Sequence, residues 1–120
     1  EILKALGETT RLRIMRLLLE TKKEICGCEF VDSLEIPQYN LTKHIDILFH
    51  AGLVKIRKEG RWVYYSAQTD GSTFCRLVCE GILKATDNVY IDDLRRFKHR
   101  MTLRQGGKCL LGIQNKKFRT

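Results

Sequence analysis

The sequence predicts a mainly α fold carrying one β-hairpin: a winged helix-turn-helix. Two observations predict it. Two short apolar-periodic segments meet at a tight connection before Pro37. A pair of strand patterns follows, joined by the basic, glycine-bearing link Lys58-Glu59-Gly60-Arg61. The size agrees, since 120 residues and 14.0 kDa suffice for one small domain.

Each element has its own signal. Residues 2–6 read as a short helix ended by Gly7. From residue 9 to about 19, Leu12, Met15, Leu18 and Leu19 recur at helical spacing with Arg11, Arg13 and Arg16 between them. Thr9 or Thr10 is placed to cap that start. Residues 25 to about 34 form the first helix of the helix-turn-helix, with Phe30, Val31 and Leu34 apolar. Pro37 opens the second, residues 38–49, near the first helical position that proline favours. Its inward face is Leu41, Ile45 and Leu48, and its outward face is Gln38, Tyr39, Asn40, Thr42, Lys43 and Asp46. Gly52 breaks it. Residues 53–57 and 62–67 read as strands, and Gly60 supplies the positive φ a hairpin needs. Helical spacing returns over residues 72–84, with a stripe of Phe74, Leu77, Val78, Gly81, Ile82 and Ala85, and more weakly over residues 91–103.

The charge points to a polyanion. Lys and Arg number 22 against 14 Asp and Glu, a formal charge of +8. Such a surplus attracts phosphate backbones, with an affinity that falls as salt rises. Lys55, Arg57, Lys58 and Arg61 gather beside the second helix. Arg95, Arg96, Lys98, Arg100, Arg104, Lys108, Lys116, Lys117 and Arg119 fill the C-terminal third, where a solvated, non-specifically attractive tail is expected. The helix over residues 38–49 has a shape that a major groove accepts. Gln38, Asn40, Thr42 and Lys43 are the candidates for base or phosphate contacts, since amide side chains pair with adenine edges. His44 borders the buried face, so packing, phosphate contact and base reading all remain open. Lys58 and Arg61 are placed for a neighbouring phosphate or minor groove. The expected partner is double-stranded DNA.

Other classes are excluded. No run of about 18 apolar residues offers a membrane span. The first residues carry no export signal, so a cytoplasmic setting with reduced thiols is expected. The chain has five Cys, an odd number that cannot pair off internally. A thiol enzyme is not expected, because the spacing is Cys-x-Cys and no Cys is followed six positions later by Arg.

The motifs add a resemblance. Ala5-Leu6-Gly7-Glu8-Thr9-Thr10-Arg11-Leu12-Arg13-Ile14 resembles the opening of ArsR/SmtB-family metal-sensing repressors. Glu24-Ile25-Cys26-Gly27-Cys28-Glu29-Phe30 resembles that family's arsenic-sensing helix, and Thr42-Lys43-His44 resembles the core of its recognition helix. Ala51-Gly52-Leu53-Val54 through Glu59-Gly60-Arg61-Trp62-Val63-Tyr64-Tyr65 is similar to its wing. The resemblance implies a homodimeric repressor that leaves its operator when an inducer binds. It runs from Ile2 to Ser66 and beyond that implies only a dimerisation helix; the expected division is a winged-helix DNA-binding and dimerisation domain over residues 1–105 and a tail over residues 106–120. The match departs at Val31, where many arsenic sensors of the family carry a third Cys. The family's other metal site, an Asp/His-rich pair on the dimerisation helix, has only His99 in its region.

The thiols then read as a sensor. On a regular helix, residues two apart stand about 200° around the axis, so Cys26 and Cys28 would face opposite ways. An ion held by both would deform that turn and alter the presentation of the second helix. Soft sulfur ligands suit arsenite or antimonite as inducer, or a soft divalent ion. Cys26, Cys28 and Cys109 are the candidate ligands, with Cys75 and Cys79, at helical i, i+4 spacing, as alternatives for the third. A sulfide, persulfide or redox sensor of the same fold is the alternative function, followed by a cadmium, lead or zinc sensor.

Overall fold

The computed structural model describes residues 1–68 and 70–114. Within them the chain runs α1 (Ile2–Leu6), α2 (Thr9–Thr21), β1 (Ile25–Cys26), α3 (Gly27–Leu34), α4 (Gln38–His50), β2 (Val54–Glu59), β3 (Trp62–Ala67), α5 (Thr73–Lys84) and α6 (Asn88–Met101). The predicted winged helix-turn-helix is present: α3 and α4 form the helical pair, and β2 and β3 form the wing.

The helix starts differ from expectation in detail. Neither Thr9 nor Thr10 caps α2; the Glu8 carboxylate accepts from the Arg11 amide instead. Pro37 is the N-cap of α4 in extended backbone rather than its first helical residue. At the other end of α4, Gly52 takes φ 78°, a conformation that ends the helix and that side chains resist. Residues 25 and 26 are not helical. They form a two-residue strand that makes the wing a three-stranded antiparallel sheet, in the order β1-β3-β2. Ile25 lies opposite Tyr65 and Cys26 opposite Tyr64.

The main core is built from Ile14, Met15, Leu17 and Leu18 of α2, Phe30 and Leu34 of α3, and Leu41 and Leu48 of α4. The α5 stripe turns otherwise than its spacing suggests. Cys75, Cys79 and Ile82 face the core, while Phe74 and Leu77 stand in solvent.

The largest departure lies in α6, which packs on α2 and α3 and is no solvated tail. Arg96, Arg100 and Arg104 follow one another at four-residue spacing along one face and its extension. Arg96 donates to the Ser33 carbonyl at 2.7 Å and pairs with Asp93. Arg100 pairs with Asp32 at 2.7 Å, and Arg104 grips both oxygens of Glu29 at 2.7 Å. Arg13 of α2 closes the other side on Asp93. Glu29 and Asp32 are both buried. Removing one partner from such a pair leaves a charge stranded in the interior, at a cost of about 3–5 kcal/mol. Lys116, Lys117 and Arg119 of the predicted tail lie outside the described residues.

Candidate metal centre and nucleic-acid interface

The centre is assembled by three short pieces of chain. Strand pairing holds Cys26 extended, at φ −74° and ψ 151°, as the N-cap of α3. The buried Glu29 carboxylate accepts from the Cys26 amide at 2.9 Å and fixes that corner. Cys28 sits in the first turn of the helix. Because Cys26 is off the helical cylinder, the two thiols are not on opposite sides. Their sulfurs are 3.3 Å apart. The expectation that both sulfurs could meet only by deforming a helical turn is therefore corrected: the bend is built into the fold.

The third piece is the chain after α6. Gly106 and Gly107 take φ of 61° and 75°, a reversal that glycine adopts without steric cost. The reversal delivers Cys109 to the cluster, fully buried, with its sulfur 3.2 Å from that of Cys28. Its amide donates to the Tyr64 hydroxyl at 3.0 Å. Further along, Arg100 donates to the carbonyls of Leu111 and Gly112, and the Gln114 amide donates to Asp32. The sulfurs of Cys26, Cys28 and Cys109 all lie within 4.8 Å of one another. Cys75 and Cys79 belong to the main core instead. Burial pushes the Cys79 thiol up to about 11, so it stays protonated and a poor ligand.

The thiols are electrostatically unequal. The Cys28 thiol donates to the Cys26 sulfur, and that bond lowers Cys26 to about 6 against the effect of burial. The same bond, with burial, raises Cys28. Burial raises Cys109 as well. The opposed shifts make Cys26 the thiol that ionises first, with Cys28 and Cys109 holding their protons longer. Three soft donors within a few ångströms suit a thiophilic ion.

Of the predicted nucleic-acid contacts, Gln38 and Thr42 of α4 and Arg61 of the wing line one cavity. Gln38, Tyr39, Thr42 and Lys43 are exposed on α4, and Asn40 is half-buried. His44 is half-buried too. Its Nδ1 is 3.0 Å from Arg11 Nη1 and 3.4 Å from Glu8 Oε2, which ties the ring to the start of α2. Lys58 and Arg61 are exposed on the wing, with the Arg61 guanidinium 4.7 Å above the Trp62 ring. Arg57 is engaged elsewhere: it pairs with Glu24 and Glu59 at 2.8 Å. A cavity of about 370 Å³ joins the two regions, lined by Cys26, Cys28, Gln38, Thr42, Arg61 and Trp62 among others.

Sequence reasoning missed Tyr64, Glu29, Asp32, Arg100 and Arg104. A signal for four of them was present. Acids three apart at 29 and 32 complement bases four apart at 100 and 104, the pattern of two helices facing through ion pairs. Among the described residues, no helix is long and apolar enough to cross a membrane.

Comparison with known proteins places this arrangement. Residues 8–55 match the family described as bacterial regulatory protein, arsR family. An HTH-type transcriptional regulator of Methanocaldococcus jannaschii is 48% identical over 65 residues, covering 54% of this chain and 72% of that one. The arsenic resistance transcriptional regulator ArsR1 of Pseudomonas putida is 30% identical over 95 residues, covering 79% of this chain and 73% of its own. Among solved structures, reduced HlyU from Vibrio cholerae is 33% identical with a TM-score of 0.58, covering 68% of this chain and 80% of that one. With its helix-turn-helix, its wing and these relatives, the chain belongs to the arsR family of DNA-binding transcriptional regulators and is not an enzyme.

Proposed function

We propose that the chain is an operator-binding repressor whose inducer is trivalent arsenic or antimony, held by Cys26, Cys28 and Cys109. The three-sulfur cluster at the root of the wing carries this reading. Its spacing supports a pyramidal ion. At a metal–sulfur length of about 2.3 Å, the two pairs that Cys28 makes, 3.3 Å to Cys26 and 3.2 Å to Cys109, each subtend about 90°, whereas a tetrahedral site asks for roughly 3.8 Å. Trivalent arsenic and antimony carry a lone pair and favour the narrower angle. The name of the Pseudomonas relative, an arsenic resistance regulator, agrees.

The residues connect the cluster to both DNA-reading parts. Cys26 pairs through its backbone with Tyr64 of the wing. Cys28 rides on α3, which packs on α4. Tyr64 also holds Cys109. Drawing the three sulfurs to one centre therefore locks wing, helix pair and tail to each other. Gln38, Asn40, Thr42, Lys43 and His44 on α4, with Lys58 and Arg61 on the wing, contact the operator. The chain works as a homodimer, supported by the apolar side chains that Leu3, Phe74 and Leu77 leave in solvent. Its setting is the cytoplasm, where thiols stay reduced.

A gel-shift titration with arsenite, antimonite, cadmium, zinc and polysulfide tests the reading. Arsenite and antimonite release the operator, and binding that persists at saturating arsenite refutes the proposal. One observation favours a second reading, a redox or persulfide sensor: the Cys28 and Cys109 sulfurs are in contact at 3.2 Å, so a disulfide needs them to approach by only about 1 Å. Mass spectrometry separates the two, since a bound metalloid adds its mass while a disulfide removes two hydrogens.

A further inference from the structure

Arg100 is placed where the sensor reading leaves a function for it. The residue is 4% exposed. Its Nε donates to Asp32 at 2.7 Å, but Asp32 also accepts from the Gln114 amide. Its Nη2 donates to the Leu111 and Gly112 carbonyls at 3.0 and 3.1 Å and lies 3.8 Å from the Cys28 sulfur and 3.9 Å from that of Cys109. Its Nη1 has no hydrogen-bond partner among the described residues. Arg104 makes the contrast. Two of its nitrogens are matched to the two oxygens of Glu29, so its charge is answered in place. Among the described residues, Arg100 is the one cationic group within 4 Å of the sulfurs, near enough to act on them by its charge.

We infer that Arg100 is a built-in counter-charge for the sulfur centre, extending the site to soft divalent ions and setting their affinity relative to trivalent metalloids. This rests on the three-cysteine reading above. Three thiolates around a divalent ion carry one net negative charge, whereas around trivalent arsenic they carry none. A guanidinium a few ångströms away in a buried site stabilises only the charged complex. Lead(II) and arsenite isolate this effect, because both take three thiolates in a pyramid and differ by one charge. The steps balance. Arsenous acid loses its three hydroxides as water, with three protons from the thiols or solvent, as three arsenic–sulfur bonds form. Lead forms three bonds and sends the protons of its thiols to the buffer. No electron is transferred in either case.

The test compares three proteins: wild type, Arg100→Lys, and the double variant Arg100→Met with Asp32→Asn, which removes both charges so that neither is stranded. Lead is followed by its thiolate charge-transfer absorption, and arsenite by Trp62 fluorescence. The double variant loses lead affinity relative to arsenite by at least about tenfold, while the lysine variant keeps the ratio within about threefold. A merely structural arginine would lower both affinities together, and an unchanged ratio overturns the inference. If the double variant does not fold, the wild type still decides. In protein labelled with ¹⁵N-arginine, the Arg100 Nε–H signal shifts further with lead than with arsenite, and equal shifts overturn the proposal. Wild-type protein that binds neither probe at its cysteines refutes the sensor reading itself, a result distinct from an unchanged ratio.

Discussion

Replacing Cys109 by Ser isolates the contribution of the tail to inducer capture. The substitution is nearly isosteric, and the backbone contact to Tyr64 runs through the amide, which serine keeps. Helix content and operator affinity should therefore stay close to wild type. What changes is the supply of the third sulfur. In the wild type it is already packed 3.2 Å from Cys28 and fully buried. A loosely tethered group presents an effective concentration in the millimolar range, and a well-placed one exceeds molar by a wide margin. Against a millimolar external thiol filling the vacant position, the loss is roughly 10³-fold in arsenite affinity, or about 4 kcal/mol. Trp62 provides the assay. It is the single tryptophan and packs against the cluster of Cys26, Tyr64 and Cys109. Its fluorescence responds to a heavy atom bound there, and titration at fixed competing thiol yields the affinity. A Cys109→Ser protein that binds arsenite within about threefold of wild type would show the tail sulfur to be a bystander, and the effective-concentration argument would fail with it.

Three further outcomes follow from the same geometry. Cys75→Ser and Cys79→Ser should each cost about 1–3 kcal/mol in thermal or urea unfolding, since each buries a hydroxyl in the main core, yet leave arsenite release of the operator unchanged. Lys43→Ala and Arg61→Ala, both on exposed side chains, should each weaken operator binding and reduce the slope of log affinity against log salt by about one, read by fluorescence anisotropy. The thiolate on Cys26 sets a proton balance: with its pKa lowered to about 6, arsenite capture above that pH takes up one proton, so arsenite affinity falls about tenfold per pH unit. Lead capture instead releases the protons of Cys28 and Cys109, so its affinity rises with pH. Calorimetry in buffers of different ionisation enthalpy measures both signs, and parallel pH trends would contradict the thiolate assignment.

The readable parts of this fold are those whose conformation is decided locally. The apolar spacing of Leu41, Ile45 and Leu48 fixed which face of α4 turns inward, and Gly60 with φ 60° sat where the hairpin needs it. The unreadable parts are those decided by a partner. Ile25 and Cys26 carry no strand pattern of their own; Tyr64 and Tyr65, some forty residues on, draw them into a sheet. The α5 stripe was apolar on more than one side, so spacing alone could not say whether Phe74 or Cys75 would be buried. Arg96, Arg100 and Arg104 read as solvated charge because arginine is rarely buried unpaired, and the carboxylate partners of Arg100 and Arg104, Asp32 and Glu29, are remote in sequence. In the sensor, Cys26 and Cys28 were legible as a pair. Their convergence was not, because it depends on that two-residue strand ending where the helix begins.

This last point changes what an inducer has to accomplish. Thiols on opposite sides of a helix would be gathered only by breaking the first turn, forfeiting hydrogen bonds that offset part of the metal–sulfur energy. Sulfurs that begin 3.3 and 3.2 Å apart demand no such unwinding. The free energy of capture then goes into joining elements that were merely in contact. Before capture, Cys109 is held by an amide hydrogen bond to Tyr64, worth about 1 kcal/mol net, and by the tail's hydrogen bonds to the charged Arg100 and Asp32, worth about 1.5–3 kcal/mol each. Shifting a population from nearly all bound to nearly all released takes about 5.5 kcal/mol of preference for one arrangement. No single contact of the tail supplies that, but two or three metal–sulfur bonds that favour one placement of the wing over the other can. The wing root is therefore the element to watch. It shares Cys26 and Tyr64 with the sulfur centre and Lys58 and Arg61 with the proposed DNA-facing surface, so in the repressor reading a small rotation of β3 relative to α4 reaches both without any helix being lost.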